Sequence, residues 1–358
     1  VKNLEKIPSL KVEKTLGEKA VTALKTLDIL NPDYKISREE NYLLLPLNRK
    51  PSKTELEELR TNLPKFEVVQ YAFAERVEFQ PRLVGLLSEK LPPHLLASLP
   101  QAIDFIGDIA VVEIPPELEN YKTDVGKAVL EAHKQLSTAL AKLGAVDGEF
   151  RVREFEPIAG VAKTSTVHRE YGCVFYVDLA KAYFSPRLSY EHNRVASLVK
   201  EDETVLDMFT GVGPFVIHIA KKHQKVHVYA VDKNPEAIRL LKKNMIANRV
   251  EAKITPILGD ARQIVAERLR GSSDRVIMNL PERALEYVDA ACRAIKPQGG
   301  IIHYYEFTSE SEPLEAAQKR LQQAVNQTGR KVDEILSSRI VRGTAPFTWQ
   351  VAVDARIK

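Results

Sequence analysis

From about residue 204 the sequence alternates short apolar runs with amphipathic stretches, and this rhythm restricts the fold more than any other feature. ETVLDMF, KVHVYAVD, ITPILGD, DRVIMNLP and IIHYYEF read as short apolar strands, the pattern of strands covered on both faces. GPFVIHIAKKH, NPEAIRLLKKNMIANR, ARQIVAERLR and ALEYVDAACRAIK lie between them with helical spacing, and PLEAAQKRLQQAVNQ follows the fifth. Asn234 can cap the second helix, and Pro235 fits its first position. Strands joined by crossover helices predict an α/β fold with a doubly wound, mostly parallel sheet. DEILSSRIVR and FTWQVAVDARI close the chain with no helix between them, so an antiparallel strand is expected at the sheet's edge.

The first part of the chain follows a different pattern. Residues 1–80 read as a small α+β unit, with helices in LGEKAVTALKTLDIL and KTELEELRTNL and strands in NYLLLPLN and FEVVQYAFAERV. Four prolines in 81–100 suggest an irregular linker. Residues 101–178 carry the strands FIGDIAVVEIP, FRVREFEPIAG and CVFYVDL around one long helix, VGKAVLEAHKQLSTALAKL. Three units are expected: 1–80, an α+β unit 81–178, and the Rossmann-like unit 179–358. A chain of 358 residues exceeds one ordinary core. No apolar run reaches the roughly 20 residues of a membrane span, and VKNLEKIPSL lacks a signal-peptide core. Two cysteines, Cys173 and Cys292, exclude a disulfide scaffold and fit a reducing, cytoplasmic compartment. A net charge of +4 is compatible with nucleic acid but does not by itself point to it.

VLDMFTGVGPF (205–215) is a strand running into a glycine turn at the head of a helix. Gly211 and Gly213 are read as letting backbone approach a ligand. Asp207, Asp232 and Asp260 stand near the ends of three successive strands, at the rim where open α/β sheets bind ligands. Nicotinamide dehydrogenases use the same strand, turn and acid, so that reading stays open beside S-adenosylmethionine. Pro214, Phe215 and Val216 follow Gly213 in place of the third glycine of a dinucleotide fingerprint, which suits a ligand without phosphates. Lys233 and Ala261, next to two of the acids, join the donor side. Asn279-Leu280-Pro281 ends the fourth strand. Asn279 there either holds a base edge or the donor, or simply makes a turn.

Taken together, FRVREFEPIAG (150–160), HREYGCVFYVDL (168–179), YFSPRL with Glu191 (183–191), LDMFTGVGPF (206–215) and NLP (279–281) resemble the archaeal-type tRNA (guanine(37)-N1)-methyltransferases. The likeness covers about 101–358; the first unit matches in size and in its NYLLLPL strand. It implies a class I methyltransferase domain that uses S-adenosylmethionine on the guanosine 3′ of the anticodon, and a small leading domain that contacts the tRNA. Carried over, Arg151 and Glu191 become the catalytic pair, with Asn279 and Pro281 holding the base. Tyr183, with Phe184 beside it, faces the substrate, while Arg187, His192, Asp207, Asp232 and Asp260 lie near the donor. Two departures stand out. His192 replaces a common Arg, and Thr344 and Gln350 replace an expected Tyr and His.

Guanine N1 carries a proton at neutral pH and is a poor nucleophile until that proton leaves. A carboxylate within hydrogen-bond reach can take it. A guanidinium aimed at O6 would stabilise the charge that develops there. Glu191 and Arg151 fill those roles, although a lone Glu at a helix start is ordinarily a solvated residue. No metal is required, and His168 and His303 lack ligand spacing. Lys163, Arg169, Lys181 and Arg194 are candidate phosphate contacts in a tRNA-binding monomer with no membrane role. The rival readings are methylation of the wyosine precursor at the same position, a non-catalytic RNA-binding module, and an NAD-linked dehydrogenase.

Overall fold

The computed structural model describes residues 6–39, 41–73, 79–147, 152–345 and 347–358. It divides into two compact units, Val1–Leu86 and Leu87–Lys358. No helix among the described residues is long and apolar enough to cross a membrane.

The first unit is a four-stranded antiparallel sheet in the order Ser37–Arg38, Tyr42–Pro46, Lys6–Glu13, Phe66–Ala72, with helices Gly17–Thr26 and Lys53–Asn62. Leu10, Leu24, Leu45 and Leu59 meet in its core. The second helix begins at a capping box: Ser52 Oγ accepts from the Glu55 N–H, and Glu55 accepts from the Ser52 N–H at 2.7 Å. Strand Lys6–Glu13 was not legible, because Pro8 and charged residues interrupt its apolar pattern.

The second unit is built on a seven-stranded sheet. Its order is Ile254–Leu258, His227–Asp232, Thr204–Asp207, Arg275–Met278, Gly300–Thr308, Thr348–Ile357, Val332–Ala345. The first five strands are parallel and the last two antiparallel, with Val332–Ala345 at the edge. The chain winds outward from Thr204–Asp207 in one direction, then crosses to Arg275–Met278 on its other side. That reversal opens a crevice at the carboxyl ends of these two strands. Helices cover both faces: Phe215, Val195 and Leu241 belong to one core, Leu206, Ala291 and Leu321 to the other.

Ahead of this sheet lies a four-stranded one, in the order Ile103–Ile106, Ile109–Val112, Thr138–Asp147, Val152–Gly160. A hairpin, Ser165–Glu170 with Cys173–Asp178, follows it. The hairpin's open edge is satisfied by side-chain amides of helix Pro235–Asn248. Asn244 accepts from the Tyr176 N–H (2.6 Å) and donates to its carbonyl (3.1 Å), and Asn248 does the same for Val174.

Three expectations fail in this region. The long helix ends at Ala132, and Thr138–Asp147 is a strand. Ala and Leu favour a helix locally, but two neighbouring strands offer this segment a ladder and bury Ala139 and Leu140. FIGDIAVVEIP folds as two strands that turn at Gly107, whose φ is +56°. The expected linker contains helices Phe79–Leu87 and Pro93–Leu96.

Candidate active site

The crevice is lined by Met208, Phe209, Thr210 and Gly211 from the glycine turn, Asp232–Asn234, Gly259–Ala261 and Asn279–Arg283. Tyr183, Phe184, Ser185, Leu188 and His192 close it from the preceding segment, and Gln350 from the antiparallel strand. The two turn glycines play different parts. A Cβ on Gly211 would meet only the Tyr183 carbonyl, at 3.6 Å, so that turn is open to a ligand. A Cβ on Gly213 would collide with Leu241 Cδ1, and its φ of +93° also excludes a side chain; Gly213 serves packing, not the ligand.

The three acids also diverge. Asp232 accepts the Gly211 N–H at 2.7 Å and the Asn234 N–H at 2.9 Å, tying the strand end to the turn. Burial raises its pKa despite these bonds. Asp260 accepts from the Arg262 N–H at 2.8 Å and pairs with Lys233 at 3.0 Å. Burial opposes its ionisation, but Lys233 together with the Arg262 and Gln263 N–H groups lowers its pKa. Asp207 is fully buried and does not line the crevice, which corrects its expected contact with the donor. Burial pushes it up to about 7 against the Phe209 N–H, with the charge of Asp232 adding to the rise. Because the folded-state value exceeds the unfolded one, Asp207 contributes stability at low pH that is lost as pH rises through about 7. Asp207→Asn is therefore expected to raise the melting temperature relative to the parent protein more at pH 8 than at pH 5. Equal differences at both would contradict the assignment.

Asn279 accepts from Gln350 Nε2 at 3.3 Å, and Gln350 Oε1 accepts from Arg342 Nε at 2.8 Å. Arg342 also reaches Ser185 Oγ (3.2 Å) and the Tyr183 hydroxyl (3.4 Å). A polar chain thus runs from Tyr183 to Asn279. Arg342 was not singled out from sequence; its only signal is an alternating RIVR strand. A second cavity shares Tyr183, Phe184, Ser185 and Glu282 with the crevice and is lined further by Asp104, Lys142, Arg153, Phe155 and Arg342. Arg187 lies here, paired with Asp104 at 2.5 Å, and not on the expected donor side. Phe184, 8% exposed, packs on His168 and Phe175, so it anchors the segment and is not free to stack on a base. Tyr183 is 38% exposed.

Glu191 is 2% exposed and does not line the crevice, although Leu188 and His192 on the same turns do. Its carboxylate accepts from Arg194 (2.8–3.0 Å), from the Tyr305 hydroxyl (2.9 Å) and from Arg339 (3.3 Å). Arg194 also holds Asp354 at 2.6 Å, and Asp354 holds His303. Burial, with the charge of Glu191, pushes the Tyr305 phenol well above its usual range, so it stays a donor. Arg194 is thus engaged inside this network and is not a phosphate contact. Lys163 and Lys181 form ion pairs with Asp108 and Glu236. Arg151 lies outside the described residues.

The remaining donor-side residue, His192, is 1% exposed and turns its Nδ1 to Glu170 at 2.7 Å. His218 Nε2 meets the same carboxylate oxygen at 3.1 Å. Sequence reasoning missed this cluster because its members are scattered over three elements.

Family models match in chain order. The tRNA methyltransferase 5 N-terminal domain matches 9–55, the TYW2 N-terminal domain 83–164, and the TRM5/TYW2 methyltransferase domain 166–333. A tRNA (guanine(37)-N(1))-methyltransferase Trm5b of Pyrococcus abyssi is 40% identical over 349 residues, covering 98% of each chain. The chain belongs to the archaeal-type Trm5 family. The crystal structure of P. abyssi Trm5b superposes with a TM-score of 0.69 over 98% of this chain and 99% of that one, at 37% identity. The complex of aTrm5 with tRNALeu gives 0.67 at 35% identity, over 98% and 99%. A tRNA(Phe) (4-demethylwyosine(37)-C(7)) aminocarboxypropyltransferase of Pyrococcus horikoshii is 33% identical over 282 residues, 78% of this chain and 97% of its own length.

Proposed function

We propose that this Trm5-family protein transfers a methyl group from S-adenosylmethionine to N1 of guanosine 37 of tRNA. The carrying observation is the match to Trm5b over 98% of both chains, which takes in the amino-terminal unit. The aminocarboxypropyltransferase aligns along almost its whole length yet leaves about a fifth of this chain unmatched, which favours methyl transfer over aminocarboxypropyl transfer.

The crevice suits the donor. The Gly211 turn is open towards it, Asp232 stands where a ribose diol is met, and Asp260 with Ala261 stands at the third strand's end. S-adenosylmethionine supplies an electrophilic methyl on a sulfonium. Asn279 and Pro281, with the exposed Tyr183, support the reading that a flipped base enters from the side of the second cavity. Arg342 would orient Tyr183 and, through Gln350, the Asn279 amide.

Glu191 is the base in this reading. Its carboxylate is engaged by two guanidiniums, so the incoming N1–H would displace the longest contact, that with Arg339 at 3.3 Å. Arg194 keeps Asp354 as a second partner and holds Glu191 in place. The proton passes from N1 to Glu191, N1 takes the methyl, and the sulfonium becomes a neutral thioether. Arg151 keeps the role that the resemblance implies, stabilising the charge that develops on O6.

The test uses unmodified tRNA transcripts and donor labelled either on the methyl or on the aminocarboxypropyl carbon chain. Methyl label is expected in 1-methylguanosine, only when position 37 is guanosine. Transfer of carbon-chain label, or of neither, overturns the proposal.

A further inference from the structure

Glu170, His192 and His218 come from strand Ser165–Glu170 and helices Ser189–Leu198 and Pro214–Lys222. Their exposures are 8%, 1% and 4%. One ligand-type atom from each lies within 4.8 Å of the others, with Glu170 Oε1 at 2.7 Å from His192 Nδ1 and 3.1 Å from His218 Nε2. A tetrahedral zinc-type ion with bonds of about 2.0–2.1 Å needs ligand atoms roughly 3.3 Å apart, close to both carboxylate–imidazole separations. The rings are held by packing: His192 stands edge-on to Phe215 at 4.7 Å, and His218 stacks on Phe175 at 5.9 Å.

A further observation points to a cation. Glu170 Oε2 is buried without a hydrogen bond, its nearest ionic partner being His168 Nε2 at 3.6 Å. His168 is fixed in turn because its Nδ1 accepts from the Gly107 N–H, which leaves Nε2 to face the carboxylate. A bound cation would satisfy that buried carboxylate oxygen.

We propose that Glu170, His192 and His218 form a binding site for a divalent transition metal of the zinc class, with His168 bracing Glu170 from outside. Two imidazoles and a carboxylate suit zinc or cobalt and leave a fourth position open. His192 also lines the crevice, so metal and donor bind with coupled affinities.

The test titrates the intact, metal-stripped protein with Co2+ and then displaces it with Zn2+. One equivalent with an intense visible band of tetrahedral cobalt is expected. His218→Gln should weaken Zn2+ binding by about 100-fold or more and His168→Gln by about 10–100-fold, with His94→Gln as an unaffected control. Absence of the band in the parent protein overturns the site even if the variants fail to fold. Unchanged Zn2+ affinity in a folded His218→Gln protein, judged by its melting curve, overturns it equally.

Discussion

Glu191→Gln is expected to lower single-turnover methyl transfer by about 100-fold or more while leaving donor and tRNA affinity near those of the parent protein. The amide keeps the side chain's shape and can still accept from Arg194 and Tyr305, so the helix Ser189–Leu198 stays in place. What it cannot do is take the N1 proton. Asp354 still balances Arg194, which limits the charge left unpaired on Glu191's removal. A variant that turns over at the parent rate would assign Glu191 to structure alone, as the buried brace between Arg194, Arg339 and Tyr305.

Asp232→Ala should weaken S-adenosylmethionine binding by roughly 10–150-fold, the size of losing one hydrogen bond to a charged group. The side chain acts twice: it lines the crevice, and it fixes the Gly211 N–H at 2.7 Å. Calorimetric titration of donor reads the effect directly, and tRNA affinity serves as the control. Full donor affinity in the variant would mean that Asp232 only shapes the turn and meets no ligand.

The doubly wound sheet could be read from sequence because buried parallel strands are short apolar runs, and their crossover helices carry the opposite periodicity. The glycine turn, Asp232, Asp260 and Asn279 followed, since a strand's end in such a sheet is a fixed place in space. Elements whose identity depends on distant partners were not legible. Thr138–Asp147 looks helical until the strands on either side of it are known. Asp207, Gly213 and Phe184 have the residue types of ligand contacts but are committed to the interior by neighbours such as Leu241 and Phe175. Arg187 is drawn to Asp104, 83 residues away, and Glu170 to histidines 22 and 48 residues distant. Spacing along a chain cannot show such convergence.

A structure of the protein with tRNA and a donor analogue that lacks the transferable methyl tests the central claim most directly. A Glu191 carboxylate oxygen is expected within about 3.2 Å of guanine N1, with Arg339 displaced and Arg194 still holding Asp354. Guanine bound at Asn279 and Pro281 while Glu191 keeps both arginines, its oxygens out of reach of N1, would contradict it.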